Sequence, residues 1–370
     1  MSNAYSTKIA EGFSSKLMLE VYDRSLLDEI VNRDYEGEIN GVGSTLNILN
    51  IARISEKDYT GSNLSVDDLY ENNAQLVITK KKSFYWREKT IDKWASYIKD
   101  PHPTVVSQKA DERNKNMDTF AFGFYGDVAA GNRIGTDYDT GTVTIDSSGN
   151  VTGSGTTFTA AMVGRGFKAD GHTGWYRVKT YTSATAIVIE DDLDDVSSTY
   201  SGGAIGAGAS YVIEAATAVQ LTLTNLLTKL GAAKLKLDVA ERNGKSAVPA
   251  ENRWALFPPE FETLATTGAT GITLHVPEVY NELIKKGMVT MLQGFKIFVT
   301  NRLTGDNTDG FHCLLGHPNW MTFAEKLLES GIEDLIGNFG TAYKDLFVYG
   351  AKVTDTRRHF AAEIFATFNV

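Results

Sequence analysis

The sequence predicts an α+β protein with a small all-β module inserted into its main domain. Three observations lead to this class. Apolar residues recur three and four positions apart over residues 104–129, which is typical of a long amphipathic helix. The chain has 34 glycines and 7 prolines, which indicates many turns and close backbone contacts and hence many strands. Over residues 135–214 the composition changes sharply to Gly, Thr and Ser, with short alternating runs between turn dipeptides.

Length, charge and cysteine content limit the possible functions. A chain of 370 residues has room for two or three domains and a substantial core. Its formal net charge of −10 argues against direct, tight binding to nucleic acid, because phosphate neutralisation needs clustered Lys and Arg. The single cysteine, Cys313, excludes an internal disulfide framework and suits a reducing cytoplasm. No apolar run approaches the roughly 20 residues needed to cross a bilayer, and the N-terminus lacks the layout of a signal peptide.

The first part of the chain predicts an arm and a protruding hairpin. Residues 1–43 contain apolar positions on one helical face and predict an arm with a helical piece. Residues 44–54 and 74–85 alternate, which predicts two strands joined by the polar, acidic segment 55–73. Because an isolated two-stranded arm is marginally stable, we expect it to lie on a neighbouring copy.

Three groups of residues in this hairpin are candidate contacts between copies. The apolar residues are Leu46, Ile48, Ile54, Leu76, Ile78 and Phe84, and the acidic tip is Asp67, Asp68 and Glu71. The run Lys80, Lys81 and Lys82 is a natural counter-surface for an acidic tip from another copy. The alternative is that these lysines are solvated charges on an edge strand, which prevent aggregation.

The helix predicted over 104–129 begins after a proline-marked turn. Pro101 and Pro103 stand where a missing amide hydrogen costs least, and Asp100 places a carboxylate at the positive helix end. About 25 residues with a rise of about 1.5 Å each give a rod of roughly 38 Å. Its first half is polar and its second half is apolar.

The remainder of the chain predicts helices mixed with mainly non-alternating strands. The helices are predicted over residues 219–243, 276–288 and 320–328, and the strands over 254–257, 295–299, 312–318, 347–353 and 359–368.

The sequence contains no recognisable catalytic frame, so we predict that the protein is not an enzyme and has no catalytic, cofactor or metal site. It lacks a phosphate-binding loop, a Gly-x-Ser-x-Gly elbow and a dinucleotide fingerprint.

Three groups could still carry chemistry. The acidic residues Glu190, Asp191, Asp192, Asp194 and Asp195 could hold calcium, but they lack the spacing of a calcium loop, which favours a solvated loop. His312, Cys313 and His317 have metal-like spacing, but their apolar surroundings favour packing. Trp175, Tyr176 and Tyr181 could stack on a sugar, although core packing explains them more simply.

The order of these parts resembles the major capsid protein of tailed bacteriophages, the Johnson fold that herpesvirus shells and encapsulins share. The most similar runs are residues 250–259 (AENRWALFPP), 293–302 (QGFKIFVTNR), 316–320 (GHPNW) and 349–353 (YGAKV). The resemblance covers residues 1–134 and 215–370, and the module at 135–214 is the departure from it.

The resemblance implies a division of the chain. We expect an N-terminal arm (1–43), an extended β-hairpin loop (44–87), a spine helix with the first part of the peripheral domain (88–134), the inserted all-β domain (135–214), a peripheral helix (215–249), an axial domain (250–345) and peripheral return strands (346–370). The inserted domain is expected to face outward.

The resemblance also implies self-assembly through hexamers and pentamers into an icosahedral shell that encloses double-stranded DNA. Portal, scaffolding and decoration proteins would be partners, DNA would lie against the inner face without sequence-specific binding, and no membrane is involved. The protein would be assembled in the host cytoplasm and located in the virion. Two alternatives stay open: an encapsulin-like nanocompartment shell, and a phage adhesion protein whose module binds carbohydrate.

Overall fold

The computed structural model describes residues 25–34, 45–48, 74–91, 102–193, 198–243, 245–267, 291–337 and 339–370. Two compact units divide the chain. The first includes residues 33–114 and 322–352, and the second includes residues 25–32, 115–321 and 353–370. The predicted helix 276–288 lies outside the described residues, and of the predicted arm 1–43 the structure describes residues 25–34, which contain the short helix α1 (Leu27–Ile30).

The first unit is built on a three-stranded antiparallel sheet and a short hairpin. The hairpin pairs β1 (Thr45–Ile48) with β2 (Ala74–Val77), and Leu46 lies opposite Leu76. The sheet has the order β19 (Thr322–Asp334), β20 (Gly340–Lys352), β3 (Lys80–Lys89). The chain enters the second unit within helix α2 (His102–Phe122), which is followed by a 3₁₀ turn over Gly123–Asp127.

The helix predicted over 320–328 is wrong, because these residues belong to β19. Their apolar spacing resembles a helix since the first residues of β19 are buried on both faces. Phe323 stacks on Tyr349 on one face, and Ala324 packs among the hairpin side chains on the other. A strand covered on both faces loses the alternation that identifies strands. Pairing with β20 from Thr322 to Asp334, interrupted by one β-bulge between Leu327 and Glu329, outweighs the helical propensity of the Ala, Glu, Lys and Leu residues of β19.

The second unit contains the inserted module, an eight-stranded antiparallel sheet over residues 136–217. Its strands are β5 (Thr136–Tyr138), β6 (Thr142–Ile145), β7 (Asn150–Ser154), β8 (Gly166–Ala169), β9 (Tyr176–Ser183), β10 (Ala186–Asp191), β11 (Ile205–Ala209) and β12 (Tyr211–Thr217). They follow the order β11-β6-β7-β10-β9-β8-β12-β5. The inward-facing residues of these strands form one apolar core of their own, which includes Val143, Ile145, Phe167, Ile187 and Ile213.

A mixed sheet forms the rest of the second unit. Its strands are β4 (Arg133–Ile134), β13 (Val219–Leu221), β14 (Trp254–Phe257), β15 (Met291–Leu292), β16 (Phe295–Val299), β17 (Gly305–Asp306), β18 (Gly310–Gly316) and β21 (Ala361–Phe368). The main path is β13-β21-β18-β14-β16-β15. Helices α3 (Leu226–Asp238) and α4 (Pro259–Thr267) belong to the same unit.

The position of the module follows from this sheet. The strand just before the module is β4, which pairs in parallel with Glu363 and Ile364 of β21. The strand just after it is β13, which pairs in parallel with residues 366–368 of the same strand. The module therefore interrupts one edge of the sheet between two short strands that share a partner.

Two predicted boundaries differ from the structure. The break predicted after residue 345 lies inside β20, which pairs with β3 on one side and, through one β-bulge between Leu327 and Glu329, with β19 on the other. The predicted helix 219–243 begins later, because Val219–Leu221 pair with β21 before the chain turns into α3.

Candidate functional site

The hairpin predicted to bind a neighbouring copy packs within its own chain where it is described. Leu46, Ile48, Leu76 and Ile78 are all buried in one apolar cluster together with Ala324 of β19 and Val348 of β20. These four side chains are therefore covered by their own chain, which differs from the expectation that a neighbouring copy covers them. Small residues make this packing possible, because they let the hairpin backbone approach the sheet closely.

Gly350 shows how close that approach is. A Cβ at this position would lie 2.9 Å from the Val77 carbonyl oxygen and 3.2 Å from Ile78 Cα. Both atoms are backbone atoms, which cannot rotate away as a side chain can. The missing side chain at Gly350 therefore allows β2 to lie directly on β20.

The remaining candidate contact residues are exposed, half-buried or outside the described residues. Lys80, Lys81 and Lys82 are exposed at the start of β3. Phe84 is half-buried and stacks on Phe347, with their ring centroids 5.9 Å apart. Ile54, Asp67, Asp68 and Glu71 lie outside the described residues, so their contacts with other copies stay predictions.

Helix α2 contributes cations to the first unit. Lys109 forms an ion pair with Asp345 and lies 5.7 Å from the centre of the Phe84 ring. Arg113 lies 5.7 Å from the centre of the Phe347 ring and 4.0 Å from Glu325. Burial and the charge of Arg113 lower the pKa of Lys109. These contacts explain why the first half of the helix is polar, because its charged side chains bind the sheet residues.

In the second unit, the module is joined to the mixed sheet by buried ionic groups. Glu363 of β21 is fully buried, and Arg165 of the module donates a 3.0 Å hydrogen bond to it. His312 Nδ1 lies 2.6 Å from the same carboxylate, and Arg133 Nε lies 3.7 Å from it. Burial alone would raise the pKa of Glu363, but the hydrogen bond from His312 and the charges of both arginines lower it to about 2.

Two further carboxylates of the module, Asp192 and Glu214, accept hydrogen bonds from residues outside it. Arg358 donates to Asp192 at 2.6 Å, and the backbone amide of Ala130 donates to the same carboxylate. The amide of Gly131 donates to Glu214, which is buried at the end of the module. Burial raises the pKa of Glu214 to about 7, against the opposing charge of Arg133. The sequence showed none of these pairs, because the partners lie far apart along the chain.

The groups that could carry other chemistry have structural partners. Glu190 binds Arg177 and Lys179, whereas Asp192 binds Arg358. Among the described residues, no group of three His, Cys, Asp or Glu side chains is arranged to hold a metal ion. The His312 ring is stacked between Tyr125 and Phe365, with centroid distances of 3.7 and 4.6 Å.

The aromatic residues suggested for sugar stacking do not form one face. Tyr176 is buried in the core of the module, where its ring packs against Tyr200. Trp175 lies against the backbone of Gly131, where an added Cβ would meet its indole nitrogen at 2.7 Å. Of the three, Tyr181 alone is exposed.

No helix among the described residues is long and apolar enough to cross a membrane. No protein-family model matches the sequence, and the search of curated proteins found no match. Solved structures do match, with a probability of 1.00.

The matching structures come from phages and span nearly the entire chain. A chain from Mycobacterium phage Che8 is 15% identical and gives a TM-score of 0.58, covering 98% of this chain and 97% of that chain. The capsid structure of Cyanophage P-SCSP1u is 15% identical, with a TM-score of 0.57 and coverage of 98% and 94%. The capsid of Cyanophage Pam1 is 12% identical, with a TM-score of 0.56 and coverage of 99% and 98%.

These similarities define the class of fold. The chain has the fold of phage capsid chains, with helices and sheets in a mixed arrangement, and the resemblance noted in the sequence is confirmed at this level. At 12–15% identity the likeness establishes the fold alone.

Proposed function

We propose that this protein is the major capsid protein of a tailed bacteriophage. It assembles through hexamers and pentamers into the icosahedral shell that encloses the packaged double-stranded DNA. The observation that carries the proposal is the near-complete coverage in both directions, 98% of this chain and 94% of a capsid chain, with few residues left over for a separate activity.

The physical basis of assembly is the burial of surfaces that one copy leaves exposed. Many contacts of modest area between identical copies add to a stable shell, and assembly stabilises each copy by mass action. The net charge of −10 suits a wall that must hold DNA without binding it tightly. A structural role also accounts for the absence of a catalytic frame in the sequence.

The proposal extends to location and partners. The protein is assembled in the host cytoplasm and becomes part of the virion, with portal, scaffolding and decoration proteins as partners. The acidic tip at Asp67, Asp68 and Glu71 reaches a neighbouring copy, and the inserted module faces outward.

Imaging tests the proposal directly. The chain is expressed alone and together with the proteins encoded beside it, purified, and examined by negative-stain electron microscopy and size-exclusion chromatography with light scattering. We expect closed, uniform shells in at least one preparation. A well-folded monomer in every preparation, at all protein concentrations tested, contradicts the proposal.

The contents of the particle separate this proposal from an encapsulin-like compartment. Particles isolated from the natural source should contain nuclease-protected double-stranded DNA. A protein cargo without DNA favours the compartment. Carbohydrate binding by the module has little support, because Tyr176 is buried and Trp175 packs against Gly131.

A further inference from the structure

The two outer strands of the three-stranded sheet carry opposite charge. Strand β3 contains five basic residues and one acidic residue, a formal charge of +4. Strand β19 contains four acidic residues and one basic residue, a formal charge of −3. The strand between them, β20, separates a basic edge (Lys80–Lys89) from an acidic edge (Thr322–Asp334).

Both edges are open in the part of the chain that the structure describes. The sheet order is β19-β20-β3, and no other described strand pairs with either outer strand. An open edge is a template for association with another chain. Charges of one sign on both edges would prevent such association, but this sheet carries charges of opposite sign.

The exposed carboxylates lie on the second half of β19. Glu325, in the first half, is turned toward Arg33 and Arg113 and does not add to the edge charge. Glu329 and Glu333 are exposed and share one cation, Lys344 of the central strand. Because one lysine neutralises one carboxylate, this half of the edge stays negative, and the exposed Asp334 adds to its charge.

Each edge also exposes apolar surface among its charges. On the basic edge the Tyr85 side chain is 65% exposed, and on the acidic edge Leu327 and Ile332 are 53% and 70% exposed. Apolar and aromatic anchors with a charged rim are typical of protein–protein interfaces. The residues that occupy the two edges therefore fit an interface better than they fit a purely repulsive surface.

Electrostatics select how two copies can combine. Two basic edges repel each other, as do two acidic edges, so a symmetric pairing of like edges is unfavourable. Only the unlike combination is attractive, and it joins copies head to tail. A head-to-tail contact forms a closed ring when its rotation closes, which is the arrangement that a capsomer requires.

We infer that the basic edge of one copy contacts the acidic edge of the next copy, with Tyr85 packed against the exposed apolar residues of β19. The number of copies in the ring, six or five, rests on the proposed function, whereas the edge contact itself is inferred from the charges and exposed residues of the sheet. It differs from the sequence-based expectation, in which Lys80, Lys81 and Lys82 bind the acidic loop tip of another copy.

A charge-reversal exchange tests the contact. The basic-edge variant is K81E/K82E/R87E, and the acidic-edge variant is E329K/E333K/D334K. Arg87 is included because it lies level with Glu333 across β20. We expect each variant alone to lower the yield of particles by at least about tenfold, since like-charge contacts across an interface cost several kcal/mol. The variant that combines all six substitutions restores opposite charges and should recover most of the yield.

Matched controls keep the outcome interpretable. The variant K81R/K82R/R87K retains the charge and should assemble as the unaltered chain does. Circular dichroism and thermal unfolding of each variant report whether the subunit still folds. If the variant with all six substitutions folds but fails to assemble, the inference is overturned.

Two other results have distinct meanings. Recovery of K81E/K82E/R87E by D67K/D68K/E71K, and not by the β19 reversal, would assign the basic edge to the loop tip and overturn the edge contact. Particles that survive both single reversals contradict the edge contact alone. Absence of particles from the unaltered chain, in every preparation, contradicts the proposed function instead.

Discussion

The inserted module covers most of its large apolar side chains, whereas the three-stranded sheet leaves several of its largest ones in solvent. In the module, the side chains of neighbouring strands form one core, and the described apolar residues that stay exposed, such as Val163 and Tyr181, are less than half exposed. At the far end of the sheet, Ile332, Ile336 and Phe339 are each at least 70% exposed. A scattered apolar residue needs no explanation, but a group of large ones at one end of a sheet indicates an interaction surface.

The difference also concerns the type of contact. Buried ionic groups join the module to the rest of the second unit, and such groups fix one relative orientation because they are costly to leave unpaired. The described residues of the hairpin pack on the three-stranded sheet through an apolar cluster, and apolar contact is less directional.

The largest effect is expected from the anchor of the module. Glu363→Gln removes the charge that Arg165 and Arg133 share, and leaves two cations in a buried site. We expect the free energy of unfolding to fall by about 3–5 kcal/mol, which urea denaturation measures. The control is Glu333→Gln, which removes one partner of an exposed ion pair and should cost less than about 1 kcal/mol. Equal effects of the two substitutions would contradict the anchor role of Glu363.

The second prediction concerns pH. Glu214 has a folded-state pKa of about 7, above its ordinary value of 4.5, so the folded protein holds this proton more tightly than the unfolded chain. Its contribution to stability is therefore complete below about pH 4.5 and is lost as pH rises through 7. The loss is about 3 kcal/mol, from the difference between the two pKa values.

Glu214→Gln isolates this contribution, because glutamine cannot ionise. Thermal unfolding of the unaltered chain and the variant is followed from pH 4.5 to 8. We expect the stability of the variant relative to the unaltered chain to rise over this interval and to level off above pH 7. A difference that is constant with pH would show that Glu214 titrates at its ordinary value.

How far the sequence predicted these features depends on the range of the interaction. The 3.6-residue period placed α2 within two residues of its start, and the alternation in residues 44–54 and 74–85 predicted two strands without their register. Both signals are local. The order of parts then led to the class of fold that phage capsid structures share with this chain.

The missed features depend on residues that are distant in sequence. Arg165 and Glu363 are 198 positions apart, so neither residue by itself indicates a pair. Ala324 and Val348, which bury the hairpin, lie on β19 and β20 far later in the chain, so no local pattern links them to the hairpin. Strand β19 resembled a helix for the same reason, since its burial on both faces is a tertiary property.

The third prediction tests the packing of the hairpin. Gly350→Ala introduces a Cβ against the backbone of β2, so the hairpin must move away from β20. We expect a loss of about 1–3 kcal/mol in the free energy of unfolding, which is typical of an overpacked site, and faster proteolysis of residues 44–79. The matched control is Gly331→Ala in β19, where the new methyl group meets only the flexible side chain of Lys344. A hairpin that is equally protected in both variants would contradict the close packing.

The smallest effect on stability is expected at the end of the three-stranded sheet. This prediction also distinguishes the sheet from the module most clearly. I336S/F339S removes two exposed apolar side chains that contribute little to the folded subunit, so the free energy of unfolding should change by less than about 0.5 kcal/mol. Under the proposed function, assembly followed by light scattering should slow, because the variant removes exposed apolar surface that contacts between copies would bury. Val163→Ser, on the module, should leave assembly unchanged. If the two variants assemble at the same rate, exposure of apolar residues does not distinguish the sheet from the module, and the end of the sheet is not an interaction surface.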